Sequence, residues 1–283
     1  MDMDVLAIEN LNVTFRTDEG IKHAVRDVSF TLNNEKLAIV GESGSGKSTV
    51  GKAILRLNPP STLVTADALR FGETDLLACN EKAIRAIRGQ HISMIMQDPK
   101  FSLNPVMTVG EQIAEALSVH RRISKREARL AALEMLKEVS IADPEHVYGQ
   151  YPHEISGGMG QRIMIAMMVI PEPDIIIADE PTSALDVSVQ QDVLNILTRL
   201  IEKKNISLIF ISHDLNLVKK FCDHVLVMYG GRVVESIRAD ALSNASHPYT
   251  RGLMESLPSL RHRRDVLPVM TRDQNWLTQD YTP

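Results

Sequence analysis

A glycine-rich loop set between an apolar run and a helical pattern constrains this chain more than any other stretch. Leu37-Ala38-Ile39-Val40 is a short continuous apolar run, as expected of a buried parallel strand. It leads into Gly41-Glu42-Ser43-Gly44-Ser45-Gly46-Lys47-Ser48-Thr49. A helical pattern through Val50, Ile54 and Leu57 follows, closed by Asn58-Pro59-Pro60. Gly41, Gly46, Lys47 and Ser48 satisfy Gly-x-x-x-x-Gly-Lys-Ser. Glycines let the backbone curl until its N–H groups surround an anion, and a helix N-terminus adds a favourable dipole. In that setting Lys47 reaches the terminal phosphates of a nucleotide, and the Ser48 hydroxyl can ligate Mg²⁺. An incidental Gly/Ser-rich turn would need neither the strand before it nor the helix after it.

Strands and helices alternate around this loop. Val5 to Phe15 reads as a strand with an imperfect period of two, and Val28 to Leu32 as another. Ile175 to Ala178, Leu208 to Ile211 and Val225 to Met228 are short apolar runs. Helical stretches fall between them, from about Val187 to Lys203 and around Leu215 to Phe221. The alternation predicts a three-layer α/β core. From about Gln112 to Val139, Ile113, Leu117, Leu130, Leu133, Leu136 and Val139 recur at helical spacings, predicting a mostly helical insertion. Gly157-Gly158 opens a further helix that closes near Pro171. After about Asp240 the regularity weakens. Asn244 to Pro258 fits one short helix, Arg261-His262-Arg263-Arg264 is a small basic cluster, and the last residues read as a peripheral tail.

Polar residues at the ends of the apolar runs are candidates for chemistry. Asp179-Glu180 closes the run from Ile175, and a carboxylate at the end of a parallel strand is well placed beside a phosphate-binding loop. There Asp179 would hold Mg²⁺ through water and Glu180 would polarise an attacking water. Read alone, Asp179-Glu180-Pro181 is equally a solvated strand exit. Gln97 follows the run Ile92 to Met96, and His213 follows Leu208 to Ile211, so each can be aimed at a terminal phosphate. A lone glutamine or histidine is more often an ordinary surface residue. A histidine here need not be a base, since it can orient water and bridge phosphate to Glu180.

Composition limits the alternatives. A net charge of -5 counts against a broadly cationic nucleic-acid surface. The two cysteines, Cys79 and Cys222, stand far apart and fit reduced thiols of a cytosolic compartment. Met1-Asp2-Met3-Asp4 has the wrong charge for a secretory signal. No apolar stretch approaches the ~20 residues that span a bilayer, so work at a membrane is expected to need other subunits.

At Ser156-Gly157-Gly158 the pattern stops being generic. The loop Gly41 to Thr49, Gln97, Ile155-Ser156-Gly157-Gly158-Met159 with Gln161-Arg162, Asp179-Glu180, Ser183-Ala184-Leu185-Asp186 and His213 occur in the order of the ABC transporter ATPases. The resemblance covers roughly Val5 to Asp240. It implies an α/β P-loop NTPase core of ABC type with an antiparallel β portion, a helical signature subdomain at about 98–170 and a short C-terminal extension. The implied domains are 1–240 and 241–283. It also implies that residues 41–49 bind ATP, that Ser48, Gln97 and Asp179 surround Mg²⁺, and that Glu180, His213, Lys47 and Gln97 serve hydrolysis. Ser156, Gly157 and Gly158 would cap the ATP held by an opposing ATPase, and Asp186 would communicate across that dimer. Phe15 is the candidate to stack on adenine, though it fits a core position equally. Met159 and Gly160 depart from the usual signature, while Ser-Gly-Gly is kept.

The branch also has a resemblance. The phosphate loop, Ser156 to Met159, Ile165-Ala166-Met167 and His247-Pro248-Tyr249-Thr250-Arg251-Gly252-Leu253 look like the ATPases of bacterial dipeptide, oligopeptide and nickel importers. Nothing in ATP chemistry needs that last stretch, which otherwise reads as a loop entering a short helix. Many peptide-importer relatives carry later cysteines associated with an iron–sulfur cluster. No cysteine follows Cys222 here, so no cluster is expected. The expected partners are two permease subunits, a second ATPase of the same or a related chain, and indirectly a solute-binding protein. The expected place is the cytoplasmic face of the inner membrane. Nickel, opines or another small solute are alternative cargoes. A soluble ATPase acting on nucleic acid or ribosomes, and a regulatory subunit without turnover, are the readings that compete.

Overall fold

The computed structural model describes residues 5–18, 20–98, 102–183, 185–256 and 276. The basic cluster Arg261-His262-Arg263-Arg264, the tail after it apart from Trp276, and Ala184 lie outside the described residues. The chain forms two units, one from residues 1–79 and 209–283, the other from residues 80–208.

The first unit begins with β1 (Leu6–Thr17) and β2 (Gly20–Leu32), an antiparallel hairpin. β3 (Lys36–Val40) leads into α1 (Lys47–Ile54), and β4 (Thr62–Thr65), β5 (Ala68–Phe71) and β6 (Thr74–Asp75) return to the hairpin. The antiparallel sheet has the order β2-β1-β5-β6, with β4 also paired to β1. The imperfect alternation in β1 has a geometric cause. Leu6 and Ile8 are buried, and so are Leu11 and Val13, one residue out of step. Asn10 lies between the pairs at φ 51°, and the register with β2 shifts between Ile8 and Leu11. Without that bulge one pair would face solvent. β2 starts well before its apolar half because Lys22 and His23 are paired with Phe15 and Thr14. α1 ends at Ile54, earlier than its pattern suggests. Arg56 turns the chain at φ 52°, and Leu57 is left 46% exposed.

The second unit contains α2 (Glu81–Ile87), β7 (Ile92–Ile95), α3 (Val109–Ser118), α4 (Lys125–Glu138), α5 (Pro144–Tyr148), α6 (Gly157–Val169), β8 (Ile175–Asp179) and α7 (Val187–Lys204). β9 (Ser207–Ser212) then carries the chain back to the first unit. β7 pairs in parallel with β8, Ile92 opposite Ile175 and Ile95 opposite Ala178. Both strands are buried throughout, hence their continuous apolar runs. Capping boxes start α3 and α4: Thr108 and Ser124 each accept from the backbone N–H of a glutamate three residues on, Glu111 and Glu127. Leu130 is 57% exposed on α4, while Leu133 and Leu136 are buried.

The helical packing leaves no room at Gly110, where an added Cβ would lie 2.1 Å from the Tyr148 ring. The Arg129 guanidinium lies over that ring, 4.4 Å from its centroid. α6 is buried nearly all round, with Ile163, Met164, Ile165, Ala166 and Val169 fully enclosed. Arg162 ties it to its surroundings through the Ser140 carbonyl at 3.0 Å and Asp192 at 3.5 Å.

The first unit resumes with α8 (Leu215–Phe221), β10 (His224–Tyr229), β11 (Arg232–Arg238), a 3₁₀ turn at Ala239–Asn244 and α9 (Pro248–Glu255). Its second sheet has the order β11-β10-β3-β9, with β10 parallel to β3 and antiparallel to β11. Ile39, Val40, Phe210, Val225 and Val227 form its core, each contributing roughly 1.5–3 kcal/mol relative to exposure. The architecture is an α/β P-loop NTPase core with an antiparallel sheet, a helical subdomain and a short C-terminal helix.

Candidate functional site

The loop Gly41 to Gly46 joins β3 to α1 and is held by elements from the chain's other end. A Cβ on Gly41 would lie 2.2 Å from the Met228 carbonyl oxygen, and one on Gly46 would lie 2.4 Å from that of Ala24. Gly46 also takes φ 100° as it enters the helix. Only glycine fits either place. The Gly231 N–H donates to the Ser45 carbonyl at 3.1 Å, which fastens the β10–β11 turn to the loop. Lys47 is 5% exposed, and its Nζ donates to the Gly41 and Glu42 carbonyls, 2.8 Å from each.

These residues fit a polyphosphate. Ser45 Oγ is buried and, among the described residues, has no hydrogen-bond partner. No side chain caps α1 there either, so its N-terminal dipole faces the loop without a carboxylate or hydroxyl of its own. A buried hydroxyl, a buried ammonium and an uncapped helix start all favour an anion.

In the second unit, Asp179 ends β8 and is 6% exposed. Glu180 follows at φ 46°, an uncommon conformation for a residue with a Cβ. Its carbonyl accepts from the Ser183 N–H and hydroxyl, both at 3.2 Å, which fixes the turn. Gln97, two residues past β7, brings Nε2 to 3.5 Å from Glu180 Oε2. Backbone strain of this kind persists where the surroundings over-determine it, and it collects at sites of function.

Ser156, exposed, is the N-cap of α6, its Oγ accepting from the Met159 N–H at 3.3 Å. The two glycines after it differ. A Cβ on Gly158 would come within 2.9 Å of Val189 on α7, whereas one on Gly157 meets nothing within 4 Å. Asp186 caps α7, accepting from the N–H groups of Val189 and Ser188 at 3.0 and 3.1 Å and from the Ser188 hydroxyl at 2.7 Å. Those bonds, the Val189 N–H foremost, hold its carboxyl below the usual range.

His213, exposed, sits between β9 and α8, where Asp214 caps the helix through the Leu217 N–H. Phe15 is half-buried and opposite Lys22 in the hairpin. A pocket of about 680 Å³ beside the phosphate loop is lined by Thr17, Lys22, His23, Arg26, Gly44 and Gly231, among others.

Within a unit, the structure thus brings together Gln97 with Glu180 and the loop glycines with Lys47. Ser45, expected among the loop residues that bind ATP, has a buried hydroxyl. One participant was not foreseen, Tyr249, which accepts a hydrogen bond from the Glu42 N–H at 3.0 Å. The singled-out stretch from His247 to Leu253 was the available signal for it.

Residues 25–183 match the ABC transporter family. The dipeptide transport ATP-binding protein DppD of Bacillus subtilis is 49% identical over 259 residues, 90% of this chain and 77% of that protein. The oligopeptide transport ATP-binding protein OppD of the same organism is 46% identical over 259 residues, 90% of this chain and 72% of that one. Among solved structures, a bacterial ABC transporter cassette determined as a dimer superposes with a TM-score of 0.74 at 28% identity, covering 83% of this chain and 98% of that one.

Proposed function

The chain belongs to the ABC transporter family as an ATP-hydrolysing subunit, and from that premise we propose that it powers import of di- or oligopeptides. Mg-dependent ATP hydrolysis coupled to transport is the family's activity. The observation that carries the reading is the phosphate loop, with Lys47 and the buried Ser45 hydroxyl set at the start of an uncapped helix. The peptide assignment rests on relatives named for dipeptide and oligopeptide transport, at 49% and 46% identity.

In this reading Lys47 and the backbone N–H groups of the loop hold the terminal phosphates. Ser48, Asp179 and Gln97 hold Mg²⁺, which when bound neutralises charge on the phosphate oxygens. Glu180 orients the attacking water and accepts its proton, Gln97 keeps that carboxylate in place, and His213 bridges water and phosphate. The pocket lined by Lys22 and His23 takes the remainder of the nucleotide, with Phe15 the candidate partner of the base. Ser156, Gly157 and Gly158 close over ATP on a second ATPase chain, and the open space above Gly157 supports that role. Residues 1–240 act as the ATP-binding domain and 241–283 as its extension.

Among the described residues no helix is long and apolar enough to cross a membrane. In this reading the chain works with two permease subunits at the cytoplasmic face, fed by a solute-binding protein. Affinity capture of the assembled complex tests the proposal. Co-purifying permeases, and ATPase stimulation by peptides delivered on the binding protein, are expected. Stimulation by nickel or an opine and not by peptides would overturn the peptide assignment, and salt-sensitive nucleic acid in place of permeases would overturn transport.

A further inference from the structure

One peptide group of the phosphate loop is bonded to the C-terminal helix. The carbonyl of the Gly41–Glu42 peptide accepts from Lys47 Nζ at 2.8 Å, and its N–H donates to Tyr249 Oη at 3.0 Å. One rigid amide plane therefore has the phosphate-binding lysine on one side and a residue 207 positions away on the other. Tyr249 is fully buried, so this hydroxyl is not competing with bulk water for the N–H.

The side chain is itself held from several directions. Its ring lies 4.6 Å from the Tyr229 ring and 6.0 Å from Trp276, which also meets Tyr229 at 5.7 Å and His247 at 5.8 Å. The helix that carries it starts on a buried carboxylate. Glu235 Oε1 accepts from the Ser246 N–H and hydroxyl at 2.7 and 2.9 Å and from the His247 N–H at 3.2 Å. His247 Nδ1 then accepts from the Tyr249 N–H at 3.1 Å. This is more scaffolding than a surface helix needs, and it ends at one hydroxyl on the phosphate loop.

We propose that Tyr249 is a positioning residue for nucleotide binding: its hydroxyl sets the plane of the Gly41–Glu42 peptide, and through it the place of Lys47. The inference rests on the reading of the loop as the ATP site. If the peptide plane is fixed, the carbonyl that Lys47 must exchange for phosphate stays where the ammonium can leave it without the loop collapsing. Removing the hydroxyl leaves a buried N–H without its acceptor and frees the plane to rotate.

The test is calorimetric Mg-ATP binding to the full chain in three forms: wild type, Tyr249→Phe and Trp276→Phe. Tyr249→Phe keeps the ring and deletes only the hydroxyl, whereas Trp276→Phe loosens the same aromatic cluster and leaves the hydroxyl in place. Tyr249→Phe is expected to weaken Mg-ATP binding about 3- to 10-fold, the worth of one hydrogen bond. Trp276→Phe is expected to stay within about twofold of wild type, even where its thermal stability falls as much or more. Unchanged affinity in Tyr249→Phe, or an equal loss in Trp276→Phe, would overturn the positioning role while leaving the ATP site intact. A wild-type chain that bound no Mg-ATP would instead bring down the reading of the loop itself.

Discussion

Gln97 and Glu180 lie 83 positions apart in sequence, yet the amide of one stands 3.5 Å from the carboxylate of the other. The parallel pairing of β7 with β8 makes this so, because both residues leave the same ends of adjacent strands. Glu180 also sits in a left-handed conformation that its neighbours enforce. A carboxylate held in a costly backbone conformation, with an amide beside it, is poised for one task.

Glu180→Gln is accordingly expected to bind Mg-ATP and to lose hydrolysis by ~10²–10⁴-fold, because it removes the basic group and keeps its shape. Lys47→Ala should weaken nucleotide binding itself, since it deletes the ammonium that faces the phosphates. Binding isotherms beside single-turnover hydrolysis separate the two. Near-normal turnover in Glu180→Gln would remove that residue from the chemistry.

The signature glycines give a finer comparison. Gly157→Ala meets open space within the chain and should leave thermal stability equal or higher by up to about 0.5–1 kcal/mol, the ordinary helix preference. It should still impair ATP-dependent pairing, as should the bulkier Ser156→Arg, because both obstruct whatever closes over this end of α6. Gly158→Ala must push Val189 aside and should cost stability first. Cross-linking yield with ATP, set against melting temperature, distinguishes these outcomes. Wild-type pairing in Ser156→Arg would count against the proposed role of the segment.

Gly110→Ala tests the helical unit. Its Cβ would overlap the Tyr148 ring, so a loss of about 1–3 kcal/mol of stability in urea unfolding is expected. Mg-ATP affinity should hold, since Gly110 takes no part in the phosphate loop. A stable variant would mean that α3 and α5 pack more loosely than described.

The start of α9 should be sensitive to pH. Burial lowers the His247 imidazole below its ordinary 6.5; Glu235 pulls the other way and Arg251 adds to the lowering. The unfolded chain therefore takes up a proton before the folded one does. Stability from His247 is complete above about pH 6.5 and is lost as pH falls through its lowered folded value. Glu235 is pushed up by burial, but bonds from the Ser246 N–H and hydroxyl and the His247 N–H leave it below its ordinary 4.5, so its contribution fades only at lower pH. As pH falls from 7.5 to 5.5, hydrogen-exchange protection across residues 245–256, corrected for the slowing of intrinsic exchange, should fall. His247→Asn, which keeps a neutral capping acceptor, should flatten the change. An equal response in both proteins would contradict it.

Legibility followed the chemistry. The loop from Gly41, the strand-end Asp179 and Glu180, and the glycines at 157 and 158 were visible because phosphate binding restricts residue types at fixed spacings. Buried strands such as Ile175–Asp179 were visible as unbroken apolar runs. Elements with weak local signals were not: β4, β5 and β6 are four, four and two residues long, and β11 mixes Arg232 and Glu235 with its valines. The capping boxes at Thr108 and Ser124 were present in the sequence and would have marked the starts of α3 and α4. The stretch from His247 to Leu253 stood out in the sequence, but its bond to Glu42 did not, because only the fold brings those two positions together.

The most direct measurement is phosphate release by transporters assembled from this chain in lipid vesicles, with and without peptide-loaded binding protein. The account predicts Mg-dependent release that rises with peptide, accompanies peptide uptake, and disappears in Glu180→Gln. Peptide uptake that continues undiminished in the Glu180→Gln transporter, or a wild-type transporter that releases no phosphate, would contradict it.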